Sequence, residues 1–166
     1  MNEGLIPRRY AKALLKVAQE RGDDKRLYSL MGTLAASFEA HPDLSTAVAN
    51  PFISADEKIK LLPTAAGAGD EDVTYADFLK LLRNNNRLPL VRGIALVYGE
   101  DYRRSNNIYK VEVTAAAPMD SAEESRLKKL VQSHLKGGTM EYTFKVDPDL
   151  IGGFTVSIGS EKLDSS

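Results

Sequence analysis

The chain has 166 residues, enough for one ordinary domain or two small ones, and its 43% apolar and 27% charged residues are the balance of a globular protein. A formal net charge of −1 argues against a dedicated nucleic-acid binder, which needs a basic surface to neutralise phosphates. Without cysteine there are no disulfides, thiolate metal sites or thiol nucleophiles, and without an apolar run near the roughly 20 residues of a membrane helix any membrane association is expected to come through partners.

Met1 to Tyr10 has no apolar core of signal-peptide length. The first periodic segment opens after Pro7, a favoured residue of a helix's first turn. Its apolar positions are Tyr10, Ala11, Ala13, Leu14, Leu15, Val17 and Ala18. At about 100° per residue they cover an arc of roughly 200°, about twice the stripe that a helix lying on one core requires. Such a helix expects two apolar neighbours: its own core, and either another internal helix or an outside partner. Asp24 to Ala40 predicts a second helix on Leu27, Leu30, Met31, Leu34 and Phe38. His41-Pro42 closes it, because the residue before proline resists the helical region.

A short helical piece over Leu44 to Val48 precedes a turn at Asn50-Pro51. Ser54 and Glu57 spell a capping box for a fourth helix, with Ile59, Leu61 and Leu62, ending near Pro63. Ala65 to Asp72 reads as a loop whose acidic end suits the positive N-terminus of the next helix. That helix, Val73 to Asn84, carries Tyr75, Phe78, Leu79 and Leu82 on one face. Leu81 falls about 100° from the centre of the face, as an edge-of-core residue or a contact for something else. After the turn at Asn84 to Arg87, Pro89 restarts helix to about Arg104, the sixth helical segment.

Beyond Ser105 the period changes to two. Tyr109, Val111, Val113 and Ala115 alternate with Lys110, Glu112 and Thr114 as a half-buried strand. Ser121 and Glu124 spell a second capping box, ahead of a helix with Leu127, Leu130, Val131 and Leu135 that Gly137-Gly138 stops. Met140, Tyr142, Phe144 and Val146 alternate as a strand, Asp147-Pro148-Asp149 turns the chain, and Phe154, Val156 and Ile158 form another strand. Gly152-Gly153 before it reads as a bulge or a close backbone approach. Gly159-Ser160 is expected to turn into a short final piece at Glu161 to Leu163. The fold class is therefore α+β: a six-helix bundle over residues 1–105, then a small β-α-β-β unit over 106–166.

Reaction chemistry finds little support. His41 and His134 are the only histidines and fall in different halves, each near a helix end. No histidine or carboxylate spacing points to a metal, and neither the Walker pattern nor the dinucleotide fingerprint occurs. Arg8-Arg9, Arg103-Arg104 and Lys128-Lys129 invite a nucleic-acid reading, but acidic residues are interleaved and no aromatic-basic stripe accompanies them. The rivals to a protein-binding role are thus a helical nucleic-acid-binding factor and a small enzyme of unrecognised class.

Four stretches in order carry a family resemblance: Arg9-Tyr10-Ala11-Lys12-Ala13-Leu14; Asn50-Pro51-Phe52-Ile53 with Lys58; Phe78, Leu79, Leu82, Asn86, Arg87 and Leu88; and Val146 to Phe154 (VDPDLIGGF) followed by Val156, Ile158 and Gly159. Together they resemble the delta subunits of ATP synthase and the mitochondrial oligomycin-sensitivity-conferring protein. The resemblance implies a non-catalytic connector in the peripheral stalk of a rotary, proton-translocating ATP synthase, linking the catalytic head to the b subunits. It implies no cofactor, catalytic residue or metal, and a peripheral position on the cytoplasmic face of the bacterial inner membrane. It also implies that the first and fifth helices bind the N-terminal helical segments of alpha subunits, a role carried onto Tyr10, Ala13, Leu14, Val17 and Leu81. The competing reading makes all five core. Asp147, Gly152, Gly153 and Gly159 carry the C-terminal signature as structural residues. The second unit is expected to face the C-terminal region of the b subunits. There the chain departs from the pattern: family members usually continue with an Asp-Gly-Ser motif, a basic residue and a terminal helix, whereas this sequence reads Leu163-Asp164-Ser165-Ser166, with serine where glycine is expected, and either it is cut short before that helix or its stalk docking is expected to differ.

Overall fold

The fold is that of a computed structural model, which describes residues 4–135, 137–159 and 161–165. The chain forms two compact units, residues 1–102 and 103–166. The helical elements are α1 (Leu5–Arg21), α2 (Asp24–Ala40), α3 (Pro42–Ala49), α4 (Ala55–Ala66), α5 (Val73–Asn84), a 3-10 turn at Leu88–Leu90, and α6 (Val91–Ser105). Leu27, Leu30, Met31, Leu34 and Phe38 of α2 are all buried, as the 3.6-residue period requires of a helix at the centre of its bundle. Ile94 and Tyr98 of α6 and Leu79 and Leu82 of α5 join this core. Each such side chain contributes about 1.5–3 kcal/mol relative to exposure.

Helix ends follow from local chemistry. Pro7 lies in the first turn of α1, where its missing N–H is not needed. Gly22 closes α1 in the left-handed region (φ 74°), with its N–H on the Gln19 carbonyl and that of Asp23 on Ala18. The expected stop of α4 at Pro63 is overturned: the helix continues to Ala66. Proline forfeits one backbone bond, but Leu62 and Ala66 on either side of it are buried. The helix then ends at Gly67 (φ 71°), where the N–H of Ala68 reaches the Pro63 carbonyl at 2.9 Å. Ser54 caps α4 as expected, its hydroxyl accepting from the Glu57 N–H at 3.2 Å.

The acidic loop before α5 works differently from its sequence reading. Asp72 precedes the helix, but its side chain makes no cap bond. Its buried carboxylate accepts from Arg26 Nε at 2.9 Å, Arg26 Nη2 at 3.1 Å and the Gly69 N–H at 2.8 Å. The hydrogen bond from Arg26 holds the carboxyl below its ordinary range, against the opposing effect of burial. A depressed folded-state pKa stabilises above the unfolded value and is lost as pH falls through the folded one. Arg26→Ala is therefore expected to lower the thermal midpoint at neutral pH. The gap between wild type and variant should narrow in acid, below the ordinary carboxylate range. A gap that stays constant with pH would show that Arg26 acts only through packing.

The second unit contains β1 (Ile108–Ala115), α7 (Ser121–His134), β2 (Thr139–Val146), β3 (Phe154–Ile158) and β4 (Glu161–Ser165). The sheet order is β2-β1-β3-β4, with β1 and β2 parallel and the other pairs antiparallel. β4 extends the expected three strands to four, because the segment after β3 returns along its free edge, pairing Val156 with Leu163. Ser160, in the expected turn, lies outside the described residues. The cap of α7 also moves: Asp120, not Ser121, accepts from the Glu123 N–H at 2.8 Å, one residue earlier than the Ser-x-x-Glu pattern. Val111, Val113, Leu127, Val131, Leu135 and Val156 form the core of this unit.

The link from β2 to β3 contains the sequence signature. The N–H of Asp147 donates to the Ala115 carbonyl at 2.8 Å, and the Asp147 carboxylate accepts from the Asp149 N–H at 3.0 Å. Gly152 and Gly153 are both left-handed (φ 70° and 68°). A Cβ on Gly152 would meet nothing within 4 Å, so the expected close approach is absent there and conformation alone requires the glycine. Gly159 is also left-handed (φ 59°), directly after β3. Space decides at Gly138, where a Cβ would lie 2.7 Å from the Asn107 carbonyl oxygen and also overlap the Tyr109 ring. Gly138→Ala is expected to destabilise this unit by about 1–3 kcal/mol, read as an earlier denaturation midpoint. Among the described residues no helix is long and apolar enough to cross a membrane.

Candidate functional site: the groove between the first and fifth helices

Helical geometry places Tyr10, Leu14, Val17 and Arg21 on one face of α1, and Thr74, Phe78 and Leu81 on one face of α5. The two faces line one groove of about 150 Å³, with Ala13 and Asp77 completing the walls. All five residues expected from the sequence (Tyr10, Ala13, Leu14, Val17 and Leu81) border it. Leu14 (8% exposed) and Phe78 (3%) form the floor, while Val17 (38%) and Leu81 (47%) stand out as apolar walls. The all-core alternative thus describes Leu14 but not Val17 or Leu81. The wide apolar arc of α1 divides accordingly: Ala11 and Ala18 are fully buried, and Tyr10, Ala13 and Val17 turn to the groove.

Polar contacts tie the helices together at both ends and show that they run antiparallel. Near the start of α1, the Tyr10 hydroxyl accepts from Asn85 Nδ2 at 2.7 Å, just past the end of α5. There the Arg87 guanidinium lies 5.8 Å from the centre of the Tyr10 ring. At the other end, Arg21 Nη1 donates to Thr74 Oγ1 at 3.2 Å and to Asp77 Oδ2 at 3.0 Å, early in α5. Thr74 in turn donates to Asp23 Oδ2 at 2.5 Å. These contacts bridge α1 to α5 and the turn after it at both ends of the groove.

Sequence reasoning did not assign Arg21, Thr74, Asp77, Asn85 or Arg87 to this site. Extending the stripe of α1 by one turn from Val17 would have reached Arg21, and the same rule on α5 leads from Leu81 and Phe78 back to Asp77 and Thr74. Asn85 and Arg87 lie past the helix, where no periodicity points to them.

The second unit carries its own apolar groove, of about 220 Å³, between α7 and β3. Leu127, Leu130, Val131 and His134 line one side and Phe154, Val156 and Ile158 the other. Leu130 is 64% exposed. Asp147, Gly152, Gly153 and Gly159 do not line it; they shape the strand connections. Among the described residues no group of three or more His, Asp or Glu could hold a metal. What both grooves offer is mainly apolar surface, with no cluster of reactive side chains among their lining residues.

Comparison with known proteins gives a consistent result. The family model described as ATP synthase delta (OSCP) subunit matches residues 6–166. ATP synthase subunit delta of Parabacteroides distasonis is 38% identical over 166 residues, all of this chain and 91% of that protein. The corresponding subunit of Phocaeicola vulgatus is 36% identical over 163 residues, 98% of this chain and 88% of that protein. A chain in the cryo-EM structure of the Toxoplasma gondii mitochondrial ATP synthase hexamer shares the fold, with a TM-score of 0.77 at 19% identity, over 95% of this chain and 88% of its own.

Proposed function

This chain belongs to the ATP synthase delta (OSCP) subunit family, and on that premise we propose that it links the catalytic head of the enzyme to the b subunits. Family membership makes it a structural, non-catalytic subunit of the peripheral stalk, in the service of ATP synthesis and proton transport, and a peripheral component of the membrane complex. The finer reading assigns the α1–α5 groove to the N-terminal helical segment of an alpha subunit, and the second unit to the C-terminal region of the b subunits. Its bacterial relatives favour the cytoplasmic face of the plasma membrane for that assembly.

One observation carries the reading: the preformed apolar groove whose walls, Val17 and Leu81, stay exposed in the isolated chain. Buried against a partner helix, that surface stabilises a complex; left in water it contributes nothing. Tyr10 to Arg21 spans about 16 Å of helix axis, a length that three turns of a partner can follow. The mechanical role needs no reaction chemistry. A turning shaft exerts torque on the head, and a connector resists it if its interfaces dissociate slowly compared with turnover.

Calorimetric titration with a peptide of about 20 residues from the N-terminus of the cognate alpha subunit, roughly 30 Å as a helix, tests the assignment. Saturable one-to-one binding is expected, and no binding by the folded chain would remove it. For the other interface, Leu130→Asp places a charge on the α7–β3 groove at a position already 64% exposed. It is expected to abolish co-purification of the C-terminal region of b while leaving alpha-peptide binding intact. Retained co-purification would move the b contact elsewhere on this unit.

A further inference from the structure

The two ends of the α1–α5 groove differ in what they have left to offer. At the Arg21 end, the cation is already paired with Asp77 through Nη1, which also donates to Thr74, and Thr74 donates to Asp23. At the Tyr10 end, Arg87 makes no ion pair and no side-chain hydrogen bond among the described residues; its guanidinium rests over the Tyr10 ring. Its neighbour Arg83, by contrast, is paired with Asp56 at 2.7 Å. Tyr10 accepts from Asn85, which leaves its own O–H proton unspent. One end therefore presents, against the Tyr10 ring that lines the groove, a cation without an acidic partner beside a hydroxyl donor, whereas the cation at the other end already has Asp77.

We propose that Arg87 and Tyr10 form a carboxylate-reading end of the groove, so that the docked helix carries an Asp or Glu side chain over them. Resting on the assignment of this groove to a partner helix, the inference adds the partner's charge pattern and its register. An apolar stripe alone can slide by one turn along an apolar floor. A planar guanidinium that receives a carboxylate bidentately stops that slide, because the strong geometry is met at one position only. The Tyr10 ring pre-orders the guanidinium by cation–π contact, so less side-chain freedom is lost when the carboxylate arrives.

The test is calorimetric titration of the full chain with the alpha N-terminal peptide, at low and high salt, using wild type, Arg87→Gln and, as a charge-matched control outside the groove, Lys12→Gln. A parallel series replaces each acidic residue of the peptide by its amide in turn, which leaves the protein untouched. Arg87→Gln is expected to weaken binding about tenfold and to flatten its salt dependence, with Lys12→Gln close to wild type. One peptide amide should reproduce that loss and add nothing further in the Arg87→Gln background. Equal binding by wild type and Arg87→Gln overturns the carboxylate-reading end and leaves the groove assignment standing. Losses that simply add in the double variant also overturn it. No binding by wild type removes the groove assignment and this inference together.

Discussion

Replacing Tyr10 and Leu81 together by alanine is expected to weaken binding of the alpha N-terminal peptide by well over tenfold, more than about 1.4 kcal/mol. The thermal midpoint of the free protein should barely move. Leu81 is 47% exposed, so its truncation in the unbound chain leaves no buried cavity. Tyr10 is partly exposed, and its hydroxyl is held only by Asn85 at the surface. If a partner helix fills the groove it covers both, so truncation removes apolar contact area contributed by each of the two helices. Tyr10→Ala also releases Arg87 from the ring it rests on. Unchanged affinity with an intact fold would take these two residues out of the proposed site. Lower affinity with an equally lowered midpoint would mean that the pair acts through the fold.

The fold was legible in the sequence wherever one periodicity ran without interruption. Every buried residue of α2 lies on the expected face, and Val111, Val113 and Ala115 alternate as read. Errors fell where two local effects compete. Proline forfeits one bond in α4, yet the burial of Leu62 and Ala66 outweighs it, so the helix runs on to Ala66. Aspartate caps as well as serine, which moves the start of α7 by one residue. Asp72 could serve either the α5 dipole or a distant cation, and only the fold brings Arg26 to 2.9 Å from it.

The site was legible in halves. The apolar walls announce themselves as surplus: more apolar residues on α1 than one core can cover, and Leu81 off the core face of α5. The polar ends do not. Arg21, Thr74 and Asp77 become neighbours only because the helices pack antiparallel, which sets residues more than fifty apart in sequence within hydrogen-bond distance. No spacing rule within one helix encodes that. The same holds for the α7–β3 groove, whose two sides are separated by a whole strand and its connection. Apolar surplus thus points to the candidate groove, while its polar ends depend on contacts that the tertiary fold creates.

Adjacent positions on α5 should separate the two roles. Leu82→Ala is expected to cost about 2–5 kcal/mol of stability, the range for emptying a packed leucine site. Leu82 is fully buried, one residue and about 100° around the helix from Leu81. It faces the core rather than the groove and is absent from the groove lining. Thermal or denaturant unfolding should therefore show a large loss for Leu82→Ala and almost none for Leu81→Ala. Peptide affinity, measured where both variants are folded, should show the reverse. The opposition is demanding, because a helix rotated by one residue in its socket would exchange the two phenotypes. If Leu82→Ala instead lost affinity in the folded state as severely as Leu81→Ala, the groove would owe its shape to core packing. The division of α5 into a face for its own fold and a face for a partner would then be lost.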